Sequence, residues 1–314
     1  MTADLTARIF TDEDAAREHF ESLRWPNGRD CPHCGVIGQS TLMQGRTTRP
    51  GLYKCNACRK PFTATMGTVY EKSHIPLHKW LLATHLMCAS KKGMSAHQLW
   101  RMLGFGSYRT AWFMAHRIRT AMGDTGFEPP MGGDGGAVEV DETFIGIRKG
   151  VKKGKGGAGH KMKVVSLVER NTGRSKSIVV DDLSLETIIP ILDRNVSRNA
   201  HLMTDEAPRY APIGWNFAAH GVVNHAREEY VSTKNPFVHT NTIEGFFSIF
   251  KRGMRGVYQH CGEQHLHRYM AEFDFRYSNR SKLGVTDSER AAKAVMGVVG
   301  KRLTYRQPDR KQAA

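Results

Sequence analysis

Apolar positions along the chain recur at two different intervals, and the change between them divides it. Over residues 11–24, Ala15, Ala16, Phe20 and Leu23 sit at helical spacing, with Thr11 as the expected N-cap and acids in the first turn. Residues 77–122 are helical again: Trp80, Leu81, His85 and Met87, then Leu99, Met102 and Leu103, then Ala111, Trp112, Ala115 and Ile118. A glycine-containing break at 104–107 parts the last two helices, and Ser95 and Ser107 stand where caps belong. That is the outline of a helix-turn-helix. Between these helical regions, residues 27–66 are rich in Gly, Pro, Thr and Cys, with brief strand-like pieces at 52–54 and 62–65. Such a segment has too few large apolar residues to fold unaided.

The second half begins after a Gly- and Pro-rich stretch at 123–136, which reads as a linker. Three β-rich runs follow at hairpin-like separations, 137–147, 161–169 and 175–180, then a helical pattern at 185–196 and a short strand at 201–204. The remainder is mostly helical, at 240–258 and 264–280, and ends in a basic tail. Strands, a helix, a strand and more helices imply an α/β layer fold.

Composition narrows the partners. At 314 residues with 40% apolar content, the chain can bury a sizeable core and suggests two or three domains. Lys and Arg number 46 against 30 Asp and Glu, a net charge of +16, which favours a polyanion, nucleic acid first. No run approaches the roughly 18 apolar residues of a membrane span, and residues 1–23 lack the apolar stretch of a secretion signal. The expected setting is the reducing cytoplasm, with no membrane partner.

Four of the six cysteines fall into Cys31-Pro-His-Cys34 and Cys55-Asn-Ala-Cys58. Two such knuckles deliver four thiolates to one structural Zn²⁺, and a metal explains how so thin a segment folds. Cys88 and Cys261 read as small buried hydrophobes. In the second helix of the helix-turn-helix outline, Tyr108, Arg109, His116, Arg117 and Arg119 are candidates for DNA contact. Residues 148–163 hold seven Lys or Arg, five Gly and no acid, and lie between two strands. They are a mobile hairpin tip or, preferably, an electrostatic track for a DNA backbone through Lys152, Lys153 and Lys155.

The acids pose the central question. In Val138-Glu-Val-Asp-Glu142, strand alternation puts Glu139 and Asp141 on one face and Val138, Val140 and Glu142 on the other. An interior acid needs a partner. Asp205 ends the strand at 201–204 and meets Asp141 if the two strands are neighbours. Glu244 begins a helix in which Asn241, Glu244, Ser248 and Lys251 share one arc beside a core stripe of Ile243, Phe247 and Phe250. Three convergent carboxylates suit two hard divalent cations across a phosphodiester. Each acid also has a structural use: Asn241 with Glu244 makes a capping box, and Asp205 can serve the turn at Pro208.

Taken together, these motifs resemble the DDE transposases of bacterial insertion sequences, the group with an N-terminal zinc ribbon and an ISXO2-like catalytic domain. The resemblance runs from Arg24-Trp-Pro-Asn-Gly28 and the ribbon, through Val138-Glu-Val-Asp-Glu142 and Thr204-Asp205, to His239-Thr-Asn-Thr-Ile-Glu244 and the stretch His267-Arg-Tyr-Met-Ala-Glu-Phe-Asp-Phe-Arg-Tyr277. It implies an α/β, RNase H-like catalytic domain with the triad Asp141, Asp205 and Glu244 on two Mg²⁺ or Mn²⁺ ions. Lys251 and Arg252 would then hold DNA near the element's end, while Asn241 stays open as a further ligand. The implied reaction is hydrolysis at terminal inverted repeats, exposing 3′-hydroxyls, and their joining to target DNA, by at least a dimer in the bacterial cytoplasm on the nucleoid. The expected domains are an N-terminal helix plus zinc ribbon at 1–66, a helix-turn-helix region at 67–124, a linker at 125–136, a catalytic domain at 137–290 with a basic hairpin at 147–163, and a tail at 291–314. Two rivals remain: a DNA-binding regulator that does not cut, and an RNase H-like nuclease of repair or of RNA.

Overall fold

The computed structural model describes residues 4–124, 126, 128–154, 157–224, 231–232 and 235–304. They fall into two compact units. The first takes in the described residues up to Ser90, Met94–Gly123 and those from Thr286 onward; the second is Lys91–Gly93 with Asp124–Val285.

In the first unit, helix α1 (Glu13–Arg24) starts where the Asp12 carboxylate accepts the Ala15 N–H at 2.7 Å. The cap is therefore Asp12 and not the expected Thr11, since the carboxylate faces the first-turn amides. Strands β1 (Ser40–Leu42), β2 (Tyr53–Cys55) and β3 (Pro61–Phe62) form a small antiparallel sheet in that order. Its apolar filling is essentially three rings: Trp25 lies 5.7 Å from Tyr53 and 6.0 Å from Phe62, centroid to centroid. The four cysteines complete it. The Cys31 and Cys58 sulfurs are 3.7 Å apart, as are those of Cys34 and Cys55, and all four lie within 4.8 Å of one another. A tetrahedron with Zn–S bonds of about 2.3 Å has S–S edges of about 3.8 Å, so the sulfurs are placed as one zinc ion would hold them.

Helix α2 (Leu77–Ala89) receives its cap from α1: the Glu13 carboxylate accepts the Leu77 N–H at 2.9 Å and the His78 N–H at 3.3 Å. Helices α3 (Ala96–Leu103) and α4 (Tyr108–Met122) begin at Ser95 and Ser107, whose hydroxyls accept from Gln98 N–H and Arg109 N–H. Gly104, at φ +62°, supplies the left-handed residue that stops α3. The chain returns to this unit at its far end. Helix Asp287–Met296, opened by a capping box between Thr286 and Glu289, packs on α1, α2 and α4, and Arg290 donates to the Cys88 carbonyl at 2.9 Å. Part of the segment 291–314 expected as a tail is thus a packed helix, because Ala291, Ala294 and Val295 give it an apolar stripe.

The second unit is a mixed five-stranded sheet. Strands β4 (Ala137–Ile145), β5 (Met162–Glu169) and β6 (Ser175–Val180) form the antiparallel meander that the hairpin spacing implies. After helix α5 (Leu185–Asn195) the chain crosses back as β7 (His201–Asp205), parallel to β4 on its other side. A short helix α6 (Ala211–Gly214) leads to β8 (Ala219–Val223), parallel to β7, which gives the order β6-β5-β4-β7-β8. One sheet face, with Val138, Val140, Val165, Leu167 and Leu202, packs against Ile188 and Leu192 of α5. The opposite face, with Ile145, Val164 and Val168, lies under α7 (Asn241–Gly253) and α8 (Leu266–Ser278), through Ile243, Phe250 and Phe273. A face covered on both sides explains why β4 and β5 read as nearly continuous apolar runs.

With so little apolar surface, the ribbon is expected to depend on a metal for its fold. Chelation is expected to release one zinc per chain and to strip amide-exchange protection from residues 27–66 while β4 and β5 stay protected. A ribbon that remains protected without metal would contradict this.

Candidate metal and nucleic-acid site

The parallel pairing of β4 with β7 runs Ala137 to His201, Val138 to Leu202 and Glu139 to Met203. Carried onward, that register sets Asp141, in the middle of β4, beside Asp205 at the end of β7. Asp141, Glu142 and Asp205 each present an oxygen, and the three oxygens lie within 4.8 Å of one another. Glu142 keeps the face of Val138 and Val140 that strand alternation gives it, and one of its oxygens still joins the group. Past the last recorded β4–β7 pair, its carboxylate reaches Tyr210, whose hydroxyl donates to it at 2.5 Å, and Arg209, which donates at 3.1 Å. Residues 209 and 210 come just after the β7 strand, so no local pattern around Glu142 announces them.

Electrostatics mark the same place. Burial, then the carboxylates of Glu142, Asp205 and Glu244, push the Asp141 carboxyl up to about 7 against one donated bond from the Glu142 N–H. Glu142 is raised as well, chiefly by burial, although Tyr210 and Arg209 oppose the shift. Burial and Glu142 raise Tyr210 far enough that its hydroxyl keeps its proton and donates. Oxygens crowded at such a cost are suited to a divalent cation, whose charge would relieve the repulsion.

Glu244 reaches the site by way of helix α7. Asn241, Glu244, Ser248 and Lys251 face outward while Ile243, Phe246, Phe247 and Phe250 are buried, the arc that the helical spacing implies. Glu244 acts on Asp141 electrostatically and accepts from the Thr240 hydroxyl at 2.9 Å, yet it does not join the close three-oxygen group. What sets the phase of α7 is Glu139. Fully buried on the α7 face of β4, it accepts from Arg170 Nε at 2.5 Å with one oxygen and from the Ile243 N–H at 2.8 Å with the other. Arg170 also donates to the carbonyls of Phe237 and His239. Burial and that guanidinium lower the His239 pKa, so its neutral Nδ1 accepts from Arg170 Nη2 at 3.1 Å. Here is the partner that an interior acid requires, and it was not evident from spacing.

The candidate DNA contacts separate. Arg109 is exposed at the start of α4, and Lys152 and Lys153 are exposed between β4 and β5. Lys155 lies outside the described residues. Arg252 is exposed and bonded to Ser248, while the Lys251 ammonium sits 5.7 Å from the Phe247 ring centre. Arg117 differs from expectation: it is buried, donates to the Glu71 carbonyl at 2.8 Å and lies over the rings of Trp80 and Phe113. His116 and Arg119 on the same helix are buried too. Three positions expected to face DNA thus belong to the interior, because α4 turns that stripe towards its own unit's core.

Known proteins fit this arrangement. Residues 134–278 match the model of the ISXO2-like transposase domain, and residues 11–61 match that of the transposase zinc-ribbon domain. The chain carries both domains of this transposase family. It is also 27% identical, over 86% of its length and 92% of the relative's, to a protein of the transposable element ISH50 of Halobacterium salinarum. The transposase domain model covers Asp141, Glu142, Asp205 and Glu244, and the ribbon model covers all four paired cysteines. Among the described residues no helix is long and apolar enough to cross a membrane.

Two outcomes follow from these contacts. Glu139→Ala leaves Arg170 buried beside no carboxylate and is expected to cost about 3–5 kcal/mol in urea unfolding; a cost below about 1 kcal/mol would contradict the clamp. For Asp141, a carboxyl raised from 3.8 to about 7 holds a proton in the fold that the unfolded chain gives up. Stability of the metal-free protein is therefore expected to fall between about pH 4 and pH 7, by at most about 1.4 kcal/mol per pH unit from this group. Asp141→Asn should flatten that slope, and equal slopes in the two proteins would contradict the assignment.

Proposed function

We propose that this transposase is a DDE enzyme whose second unit has an RNase H-like fold and uses Asp141, Asp205 and Glu244 to cut and join DNA. The observation that carries the reading is the β4–β7 register, which aligns Asp141 with Asp205, with α7 bringing Glu244 near in a chain of net charge +16. The strand order β6-β5-β4-β7-β8, three strands antiparallel and two added in parallel, supports it.

The three acids would hold two Mg²⁺ or Mn²⁺ ions, which when bound activate the attacking hydroxyl and stabilise the departing oxygen. Glu142, held by Tyr210 and Arg209, shapes that cluster from the side. Lys251 and Arg252, beyond Glu244 on α7, and Lys152 and Lys153 on the basic hairpin neutralise backbone phosphates. Arg109 and the exposed start of α4, together with the zinc ribbon, engage the terminal inverted repeats. Water first cleaves the strand at the element's end, leaving a 3′-hydroxyl on the element and a 5′-phosphate on the flank. That hydroxyl then bonds to a target phosphorus as the target's own 3′-oxygen leaves. Two ends handled together require at least a dimer, acting on the nucleoid in the cytoplasm.

The test is strand cleavage and joining on labelled DNA from the element's own ends, with Mg²⁺, Mn²⁺ or EDTA. Asp141→Ala and Asp205→Ala are expected to lose cleavage by on the order of 100-fold or more and to keep end binding. Equal loss of binding in a folded variant counts against catalytic roles, and tight binding without cutting by the wild type favours a regulator.

A further inference from the structure

Immediately past the acidic group lies a cleft of about 410 Å³ that none of the roles above uses. Asp205, Glu206, Tyr210 and His220 line it, together with the exposed Trp215 and Val222. Trp215 is 90% exposed, by far the most exposed large apolar side chain among the described residues. An indole left in water costs the fold its burial, so its position on the rim of a cleft calls for an occupant.

The cleft is built around flat groups. Gly214 precedes Trp215, and a Cβ at 214 would fall within 2.0 Å of the His220 ring, so only glycine lets that imidazole come up against the helix end. His220 is fixed from below by Thr204, whose hydroxyl lies 2.9 Å from its Nε2. Burial lowers the His220 pKa, which keeps the ring neutral at physiological pH. A neutral imidazole and an exposed indole have π faces to offer, whereas Asp205 and Glu206 in the cleft's lining repel a bare phosphate. The occupant that satisfies both is a flat, uncharged heterocycle whose phosphate lies outside the cleft, at the divalent cations that Asp141, Asp205 and Glu244 would hold.

We propose that this cleft receives one nucleobase of the cleaved strand, adjacent to the scissile phosphate, with the Trp215 indole stacked on it. This rests on the reading of the acidic group as the place where a phosphodiester is cut. Stacking tolerates any base, since every base has a π face, so the contact holds the strand in place without reading its sequence. It therefore acts as a positioning contact at the junction.

The full-length protein, carrying Asp141→Ala so that no strand is consumed, is titrated with element-end duplexes in which 2-aminopurine replaces single bases on either side of the junction. One position is expected to lose fluorescence on binding, an effect removed by Trp215→Ala and largely kept by Trp215→Phe. In the catalytically intact background, Trp215→Ala is expected to weaken productive binding by roughly 5- to 100-fold, seen in KM and in junction accuracy. A duplex that binds with no 2-aminopurine position responding to Trp215 overturns the proposal. So does a Trp215→Ala protein that cuts normally but changes its oligomeric state, which would assign the indole to a subunit contact. If a Trp215-dependent signal is present but the wild type cuts nothing, the nucleobase cleft stands and the catalytic reading fails.

Discussion

A single buried ion pair governs where the acids of the second unit can meet. Desolvating the Glu139 carboxylate costs several kcal/mol, and Arg170 compensates only because both groups have their remaining bonding capacity used. Glu139 takes the Ile243 N–H, and Arg170 takes the carbonyls of Phe237 and His239. These bonds tie the centre of β4, the turn after β5, the segment at 237–239 and the first turn of α7 into one arrangement. Because Glu139 and Asp141 are two residues apart on one strand, while Ile243 and Glu244 are consecutive on one helix, fixing Glu139 against Ile243 fixes the approach of Glu244 to Asp141. The amide received by Glu139 is also one of the orphan donors at a helix start, so the same carboxylate caps α7 and complements its dipole.

The sheet adds the other coordinate. Pairing β4 in parallel with β7 brings Asp141 level with Asp205, and the two apolar faces make any slip of that register expensive, since a shift by one residue would drive Glu139 into the α5 core and Val138 against the charged clamp. The site is thus over-determined by packing on both faces. That rigidity keeps Asp141 buried with Glu142, Asp205 and Glu244 close by, and burial first, then those carboxylates, raise its carboxyl to about 7.

Much of this was legible in the sequence, and the parts that were not share a cause. Local chemistry was readable: the cysteine spacing, the serine caps at 95 and 107, the meander of three strands, the outward arc of α7 and the level meeting of Asp141 with Asp205. Features set by distant chain were not. Arg170 lies 31 residues from Glu139, and Arg209 lies 67 residues from Glu142. Arg117 looks like a DNA contact because α4 is basic, yet the Glu71 carbonyl and the rings of Trp80 and Phe113 claim it. Strand β8 has only the run Ala219-His-Gly-Val-Val223, a weak pattern that gains its place from β7 alone. The helix at Asp287–Met296 was within reach, since Thr286 and Glu289 spell a capping box.

The account stands on the claim that the middle of β4 and the end of β7 form a divalent-cation site. The most direct measurement is a crystal of the full chain grown with Mn²⁺ and recorded at the manganese absorption edge. The expected result is anomalous density bonded to carboxylate oxygens of Asp141 and Asp205, absent in Asp205→Ala. A folded wild type whose manganese binds only elsewhere, or nowhere, would contradict it.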